Sequence, residues 1–399
     1  MKSKKHFPAQ LWMRFLVQIV MWSFTKFFGI RAKMPKTIKD LDAPYLVLGN
    51  HIGFWDPFIT GFFLPHFTRY VSSDAAFRNP LFSFFLTRLG TIPKKKNMRD
   101  SQVIRDIVGV IKQGNNVGIF PEGVRNWAGN TLILDISIIK LIKLLKVPVV
   151  VPILKGMNLF NPRWSSKLRK TKVEVHYKLL FTKDDIANLS DEDLFKKLGD
   201  TLQYDEVDYQ KEKMNIIHSE RRAEFISHAL YICPECHGID TFESKANNIL
   251  CGKCGYEIHI NKFGFFEVLK GGKLFFDNIR DWYNWEERWL LSYVKNKLVD
   301  DNKDIIFKDF NSDIYYSNTK AQPKLLGKAD IELYVDRIEI KYKDKEDIII
   351  FNFRSLQTIN PQVNEMLEIY LNTGESYRVI GNMKGVSALK WEVAMNAIW

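Results

Sequence analysis

The stretch Gly49-Asn50-His51-Ile52-Gly53-Phe54-Trp55-Asp56-Pro57 decides how the N-terminal part of this chain is interpreted. It follows a short apolar run, residues 45–48, that is typical of a buried strand in a parallel or mixed sheet. His51 would then lie at the carboxyl end of that strand, where open α/β sheets bind ligands. Asp56 and Pro57 predict a helix start, with Asp56 as the N-cap and Pro57 in the first helical position.

His51 and Asp56 admit two interpretations. In the first, Asp56 only caps a helix and His51 is an ordinary loop residue. In the second, the turn folds the two side chains together, so that a carboxylate orients an imidazole that takes a proton from a hydroxyl group. A lone histidine and aspartate at this spacing favour the first interpretation, whereas the sequence that follows favours the second.

Charge is distributed unevenly along the 399 residues. The formal net charge is +12, and residues 1–180 hold 29 of the 58 Lys and Arg residues but only 9 of the 46 Asp and Glu residues. A basic, apolar N-terminal region indicates an anionic membrane or a phosphate-bearing substrate. The acidic remainder argues against nucleic acid as a partner.

Residues 11–30 are rich in aromatic and aliphatic side chains, with Arg14, Gln18 and Lys26 among them. These polar residues disfavour a signal peptide and a simple spanning helix. They predict a helix that lies in the membrane interface; a spanning helix and a soluble core helix remain alternatives. We therefore expect a peripheral or monotopic protein at the cytoplasmic face of the cell membrane.

Apolar strands and helices alternate after this segment. Further strands are expected at 70–72, 116–120, 147–153 and 172–181, and helices at 57–64, 77–89, 101–113 and 136–146. This pattern predicts an α/β fold in which helices flank a mixed sheet.

A second polar motif, Phe120-Pro121-Glu122-Gly123-Val124-Arg125-Asn126, follows one of these strands. An arginine at a strand-to-loop junction is well suited to bind a phosphate with two hydrogen bonds. Lys94 and Lys95 add positive charge after another Gly and Pro. The alternatives are a surface salt bridge between Arg125 and Glu122, and a solvated loop for the lysines.

Taken in order, these motifs resemble the glycerolipid acyltransferases, the PlsC-like 1-acylglycerol-3-phosphate acyltransferase superfamily, over about residues 10–185. The family's four blocks correspond here to Asn50, His51 and Asp56; approximately to residues 90–94; to residues 120–126; and to the apolar strand 147–152. Val124 and Asn126 replace a threonine and a serine of the third block, so the hydroxyl hydrogen bonds there are expected to be lost.

The resemblance implies that His51 is a general base oriented by Asp56, and that the acceptor hydroxyl attacks the thioester of acyl-CoA or acyl carrier protein. Residues Glu122, Gly123 and Arg125, with Lys94 or Lys95, would hold the acceptor phosphate or order that site. The expected acceptor is a lysophospholipid, above all 1-acylglycerol-3-phosphate, in phospholipid biosynthesis. The alternative is a non-catalytic, membrane-associated lipid-binding or zinc-ribbon interaction protein.

All four cysteines lie in two C-x-x-C pairs, Cys233 with Cys236 and Cys251 with Cys254, separated by fourteen residues. This spacing is typical of a zinc ribbon, in which four thiolates hold a structural zinc ion. A dithiol redox pair is the alternative. A reduced, cytosolic compartment fits the pattern best.

The sequence predicts six segments. They are a membrane-interface helix (1–33), the acyltransferase domain (34–190), a helical connector (191–229), the zinc ribbon (230–262), an aromatic helical linker (263–300), and a small α+β domain similar to pleckstrin-homology or GRAM domains (301–399). The last segment combines short alternating strands with a helix expected from about residue 386. That likeness is at the level of fold and says little about function.

Overall fold

The computed structural model describes residues 7–94, 101–269, 272–299, 304–318, 323–344, 346–361, 366–381 and 387–398. The predicted substrate ligand Lys95 and the expected first residue of the last helix, 386, lie outside these ranges. The chain divides into two compact units, Met1–Arg163 with Arg169–Ile216, and Trp164–Leu168 with Ile217–Trp399.

The first unit alternates strands and helices, which confirms the expected α/β class. Its elements are α1 Leu11–Phe28, β1 Arg31–Lys33, α2 Lys36–Lys39, β2 Leu46–Leu48, α3 Asp56–Phe62, β3 Thr68–Ser73, α4 Pro80–Arg88, β4 Ile92–Lys94, α5 Ser101–Lys112, β5 Asn116–Ile119, α6 Ser137–Leu145, β6 Val149–Lys155, α7 Met157–Phe160, β7 Glu174–Phe181, α8 Lys183–Asn188, α9 Asp191–Leu202 and α10 Glu206–Lys213. Helix α4 begins three residues later than expected, because Asn79 caps it by accepting hydrogen bonds from the backbone N–H groups of Leu81 and Phe82.

The seven strands of this unit form one sheet in the order β1-β7-β6-β2-β5-β3-β4. Strands β2, β3, β4, β5 and β6 run parallel to one another, whereas β7 is antiparallel to β6, so the sheet is mixed. Carboxyl ends of parallel strands meet at one edge. The carboxyl ends of β2, β4 and β5 therefore lie at the same edge.

Apolar side chains from both sides of the central strands form the core. In α5, Val103, Ile107, Val110 and Ile111 recur at helical spacing and are buried against Leu46 and Val117 of the sheet. Complete burial of one such side chain contributes roughly 1.5–3 kcal/mol. Packing against α5 therefore fixes the strands that precede the two polar motifs.

In the described ranges, the second unit contains two antiparallel sheets and two α-helices. Its elements are β8 Phe242–Lys245, β9 Asn248–Cys251, β10 Glu257–Ile260, β11 Phe266–Val268, α11 Ile279–Val299, β12 Phe307–Ser317, β13 Lys324–Leu333, β14 Arg337–Tyr342, β15 Ile348–Asn352, β16 Leu356–Pro361, β17 Met366–Leu371, β18 Ser376–Ile380 and α12 Leu389–Ile398. The sheet orders are β11-β10-β9-β8 and β15-β14-β13-β12-β18-β17-β16.

Helix α11 is hydrogen-bonded to the segment that precedes Cys233. The indole Nε1 of the fully buried Trp282 donates a hydrogen bond to the carbonyl of Ile232 at 3.0 Å. The carboxylate of Glu286, also fully buried, accepts hydrogen bonds from the backbone N–H groups of Tyr231 at 2.9 Å and Ile232 at 3.1 Å. These bonds fix the first cysteine pair on the helix.

A buried lysine joins three parts of the same unit. Lys390 of α12 has no exposed side-chain surface, and its ammonium forms ion pairs with Asp240, in the loop after the first cysteine pair, and with Asp309 of β12. The indole Nε1 of Trp391 also donates to Asp309, at 2.7 Å. The loop after the first cysteine pair, the seven-stranded sheet and helix α12 are therefore joined by one buried set of ion pairs.

Candidate active site

The strand-to-helix turn brings His51 and Asp56 together. Nδ1 of His51 lies 2.8 Å from Oδ2 of Asp56, and the same oxygen accepts hydrogen bonds from the backbone N–H groups of Ile52 at 2.6 Å and Gly53 at 2.8 Å. The expectation that Asp56 caps the helix is wrong. Asp56 is the first residue of α3, Trp55 occupies the cap position, and the carboxylate turns back into the preceding loop.

The imidazole of His51 is held against an aromatic ring. It stacks on Phe120 with a centroid distance of 4.3 Å, and Phe120 stacks in turn on Tyr70 at 5.7 Å. Burial lowers the pKa of His51 below its usual value, although the Asp56 carboxylate opposes that change. No described residue hydrogen-bonds Nε2 of His51, and 22% of the side chain is exposed. A neutral imidazole with an available Nε2 is the form that a general base requires.

Glu122 positions the main chain of His51. Its carboxylate accepts one hydrogen bond from the backbone N–H of His51 at 2.8 Å and another from that of Leu132 at 3.0 Å. Only 8% of Glu122 is exposed, and burial raises its pKa to about 7, despite both hydrogen bonds. Glu122 therefore orders the site from below.

Arg125 is half-buried beside this turn. Within the described part of the chain, no carboxylate lies within ion-pair distance of its guanidinium, and burial lowers its pKa while the charge of Asp56 opposes that shift. Arg125 therefore forms no surface salt bridge with Glu122, which was the alternative interpretation. Gly123 adopts a left-handed φ of 72°, and its N–H bonds the carbonyl of Phe120 at 3.0 Å, which turns the chain toward Arg125.

Asn126 makes hydrogen bonds of its own in place of the hydroxyl expected in the third block. It is 2% exposed, and both its backbone N–H and its side-chain Nδ2 donate to the carbonyl of His51, at 3.1 and 3.2 Å. Its Oδ1 accepts from the backbone N–H of Gly129 at 3.0 Å. The two polar motifs are therefore tied together through the main chain of His51.

The predicted lysines are placed only in part. Lys94 ends β4 and is exposed, at the same sheet edge as His51 and Glu122. Lys95 lies outside the described residues. Among the residues that sequence reasoning missed is Arg163, whose Nη1 donates to the carbonyl of Arg125 at 2.7 Å. Its only signal in the sequence is a basic residue shortly after the fourth block, because a loop beyond α7 brings it back.

Comparison with known proteins gives a match over part of the chain. Residues 30–154, which include both motifs, match the family model described as "Acyltransferase". By this match, residues 30–154 are an acyltransferase domain.

Three further likenesses extend over parts of the chain. Over 100 residues, the chain is 30% identical to the 1-acyl-sn-glycerol-3-phosphate acyltransferase of Borreliella burgdorferi, a match that covers 24% of this chain and 39% of that protein. The crystal structure of the acyltransferase PlsC from Thermotoga maritima is 16% identical, with a TM-score of 0.41 over 48% of this chain and 78% of its own. The Vps36 N-terminal PH domain gives 16% identity and a TM-score of 0.20 over 24% of this chain and 82% of its own. Both TM-scores are too low to establish a shared fold.

Outside the acyltransferase domain, Cys233, Cys236, Cys251 and Cys254 form one cluster, with all four sulfurs within 4.8 Å of one another. The Cys233–Cys254 and Cys236–Cys251 sulfurs are 3.7 and 3.8 Å apart. Four sulfurs around a zinc ion with bonds of about 2.3 Å would lie about 3.8 Å apart. A disulfide needs about 2.05 Å. The cluster therefore fits a tetrahedral metal ion and contains no disulfide.

Proposed function

We propose that the protein transfers an acyl group from a thioester to a hydroxyl of a lysophospholipid, most directly 1-acylglycerol-3-phosphate. The observation that carries this proposal is the His51–Asp56 pair, in which the carboxylate binds Nδ1 and leaves Nε2 available to the acceptor. The match to the acyltransferase family supports the reaction class, and the Borreliella relative supports the acceptor class.

In the proposed reaction, Nε2 of His51 takes the proton of the acceptor hydroxyl as its oxygen attacks the thioester carbonyl. The carboxylate of Asp56 stabilises the imidazolium that forms and keeps the remaining proton on Nδ1. The tetrahedral intermediate collapses by breaking the carbon–sulfur bond, and the departing thiolate takes the proton back from Nε2. The donor is acyl-CoA or acyl carrier protein.

We assign the acceptor phosphate to Arg125. Its guanidinium has no carboxylate partner among the described residues, and its main chain lies against the His51 turn through Asn126. A guanidinium can bind a phosphate with two parallel hydrogen bonds, which an ammonium cannot do. Lys94, at the same edge, and Lys95 are further candidates for this phosphate.

The test of this assignment is Arg125→Lys. Loss of one charge-assisted hydrogen bond should cost about 1.5–3 kcal/mol, so kcat/KM for the acceptor should fall at least about tenfold while kcat/KM for the donor is spared. Lys170→Met, an exposed change on a later loop, serves as the control for altered charge. An equal fall for donor and acceptor would indicate a structural role, and no fall for either would remove Arg125 from the site.

The membrane is the proposed location, at the cytoplasmic face. Helix α1 buries Met13, Met21 and Thr25 against the domain and exposes bulky apolar side chains on its other faces, among them Leu11 (76% exposed), Phe15 (69%) and Trp22 (59%). None of the helices in the described ranges is long and apolar enough to cross a membrane. An exposed apolar face next to basic residues is typical of an interfacial helix.

The apolar surface continues toward the active-site turn. Trp12 of α1 lies 6.5 Å from Phe84 of α4, and Phe82 of α4 lies 5.9 Å from Phe54 of the His51 turn. All four side chains are at least 40% exposed. A lysophospholipid whose acyl chain stays in the membrane could thus present its headgroup to His51 without leaving the lipid.

For the C-terminal unit we propose a structural zinc ion on the four cysteines and a fold of the pleckstrin-homology or GRAM type for the large sheet. Zinc would cross-link the two cysteine pairs through four thiolates, with no coordination position left for chemistry. The sulfur separations support the metal, and a seven-stranded antiparallel sheet closed by a terminal helix supports the fold.

A further inference from the structure

The loop after α7 lies directly against the His51 turn. A Cβ atom on Gly53 would come within 3.2 Å of Oδ1 and 3.3 Å of the carbonyl oxygen of Asn161. Glycine at position 53 therefore permits this close approach. Arg163 follows two residues later and lies outside the four sequence blocks.

Arg163 makes two contacts with the segment that carries Arg125. Its Nη1 donates to the carbonyl of Arg125 at 2.7 Å, and its guanidinium lies 4.0 Å from the ring centroid of Trp127. Arg163 is 9% exposed and Trp127 is 6% exposed, so both contacts are shielded from water. Stacking on an indole together with a charged hydrogen bond restricts the position of a guanidinium. The same two contacts restrict the Arg125 carbonyl and the Trp127 ring.

Arg163 also acts electrostatically on His51. The groups that set the pKa of His51 are its burial and Asp56, which oppose each other, and the positive charges of Arg125 and Arg163, which lower it. Glu122 faces the main chain of His51 rather than its ring.

We propose that Arg163 is a positioning residue of the active site, which fixes the main chain from Arg125 to Trp127 and so sets the place of the acceptor-binding guanidinium relative to His51. This inference rests on the proposed function. Arg163 contacts the backbone of Arg125 and the ring of Trp127, and its effect on the acceptor passes through them.

Kinetics of the full chain test this role with three variants. Arg163→Met should raise the acceptor KM about tenfold, spare the donor KM, and move the acidic limb of the pH–rate profile to higher pH, because one charge that opposes protonation of His51 is gone. Arg163→Lys keeps the charge but loses the planar fork, so the acceptor KM should rise while the acidic limb stays in place. Lys170→Met should change neither.

If Arg163→Met fails to fold, Trp127→Leu replaces it: the ring is lost and the charge remains, so the acceptor KM alone should rise. Equal effects on donor and acceptor with an unmoved pH limb would show that Arg163 is merely structural. Unchanged kinetics in all variants would also overturn the proposal.

An NMR experiment separates this inference from the proposed function. In full-length protein with labelled histidines, the signal absent from His51→Ala identifies His51. Its titration midpoint should rise in Arg163→Met, and binding of glycerol 3-phosphate should weaken about tenfold. A wild type that acylates no lysophospholipid would refute the function alone. Unchanged titration and unchanged glycerol 3-phosphate binding in Arg163→Met would refute the role of Arg163, whatever the activity.

Discussion

Substitutions at Asp56 can separate the charge of its carboxylate from its hydrogen bonds. Oδ2 accepts from the backbone N–H groups of Ile52 and Gly53 and from Nδ1 of His51. In Asp56→Asn the amide oxygen must occupy that position, because the NH₂ group would face two N–H donors. The NH₂ group then occupies the place of Oδ1, which has no hydrogen-bond partner among the described residues. The variant keeps the geometry of the turn and loses its negative charge.

The expected loss in rate follows from Coulomb's law. A carboxylate about 4 Å from the imidazolium stabilises it by about 4 kcal/mol at an effective dielectric constant of about 20. Since about 1.4 kcal/mol corresponds to a factor of ten, kcat for Asp56→Asn should fall about 10³-fold. The unfolding midpoint should fall only slightly, by the cost of one buried NH₂ group.

Asp56→Ala should behave differently, because three N–H groups lose their acceptor. Each buried donor left unsatisfied costs about 1–3 kcal/mol, so the alanine variant should be several kcal/mol less stable than the asparagine variant as well as inactive. Thermal unfolding and saturating-substrate kinetics on both variants provide the comparison. Activity of Asp56→Asn within tenfold of wild type would refute the role of the charge, and equal stability of the two variants would refute the role of the turn hydrogen bonds.

Three further outcomes are expected. Glu122→Gln keeps one acceptor oxygen for two N–H donors, so it should cost about 1–3 kcal/mol of stability. Because burial raises the pKa of Glu122 to about 7 in the folded protein, the stability of the wild type should fall relative to the variant as pH rises from about 4.5 to about 7. Urea unfolding of both proteins at each pH measures this difference. Freshly purified, reduced protein should contain about one zinc ion per chain by metal analysis, and Cys251→Ser should lower that content and destabilise the second unit before it affects acyl transfer. The double variant Phe15→Glu, Trp22→Glu should no longer bind anionic vesicles in a sedimentation assay. It is preferable to deletion of residues 1–30, because the deletion would also expose the protein surface that Met13 covers. Unchanged binding by the double variant would place the anchor elsewhere.

Much of the first unit could be predicted because its signals are local. Apolar runs such as residues 45–48 and 147–153 are typical of buried strands, and the helical spacing of apolar residues in α5 predicts both its existence and its buried face. The sequence of the turn alone left open whether His51 and Asp56 meet, and the later motifs favoured the contact that the structure shows. The role of the Asp56 carboxylate was predicted only in part, since a helix cap and a turn ligand have the same sequence signature.

The contacts that cross long stretches of chain could not be predicted. Glu122 and His51 are 71 positions apart, and nothing in either motif shows that a side chain of one binds the backbone of the other. Arg163 reaches Arg125 only because a loop returns after α7. Strand β12 has a weak sequence signal because its register shifts between Asp309 and Ser312, where Asn311 has a positive φ, and this interrupts the alternation that identifies a strand.

The buried Lys390 has a consequence for synthesis of the chain. Asp240 lies 150 positions before its lysine partner, and Asp309 lies 81 positions before it. While the ribosome is still producing the intervening strands, two carboxylates that belong in the interior have no counter-charge and must stay hydrated. We therefore expect the C-terminal unit to reach its final packing only after helix α12 has emerged, so that a premature stop at codon 390 or shortly before it would leave about half of the protein incompletely folded.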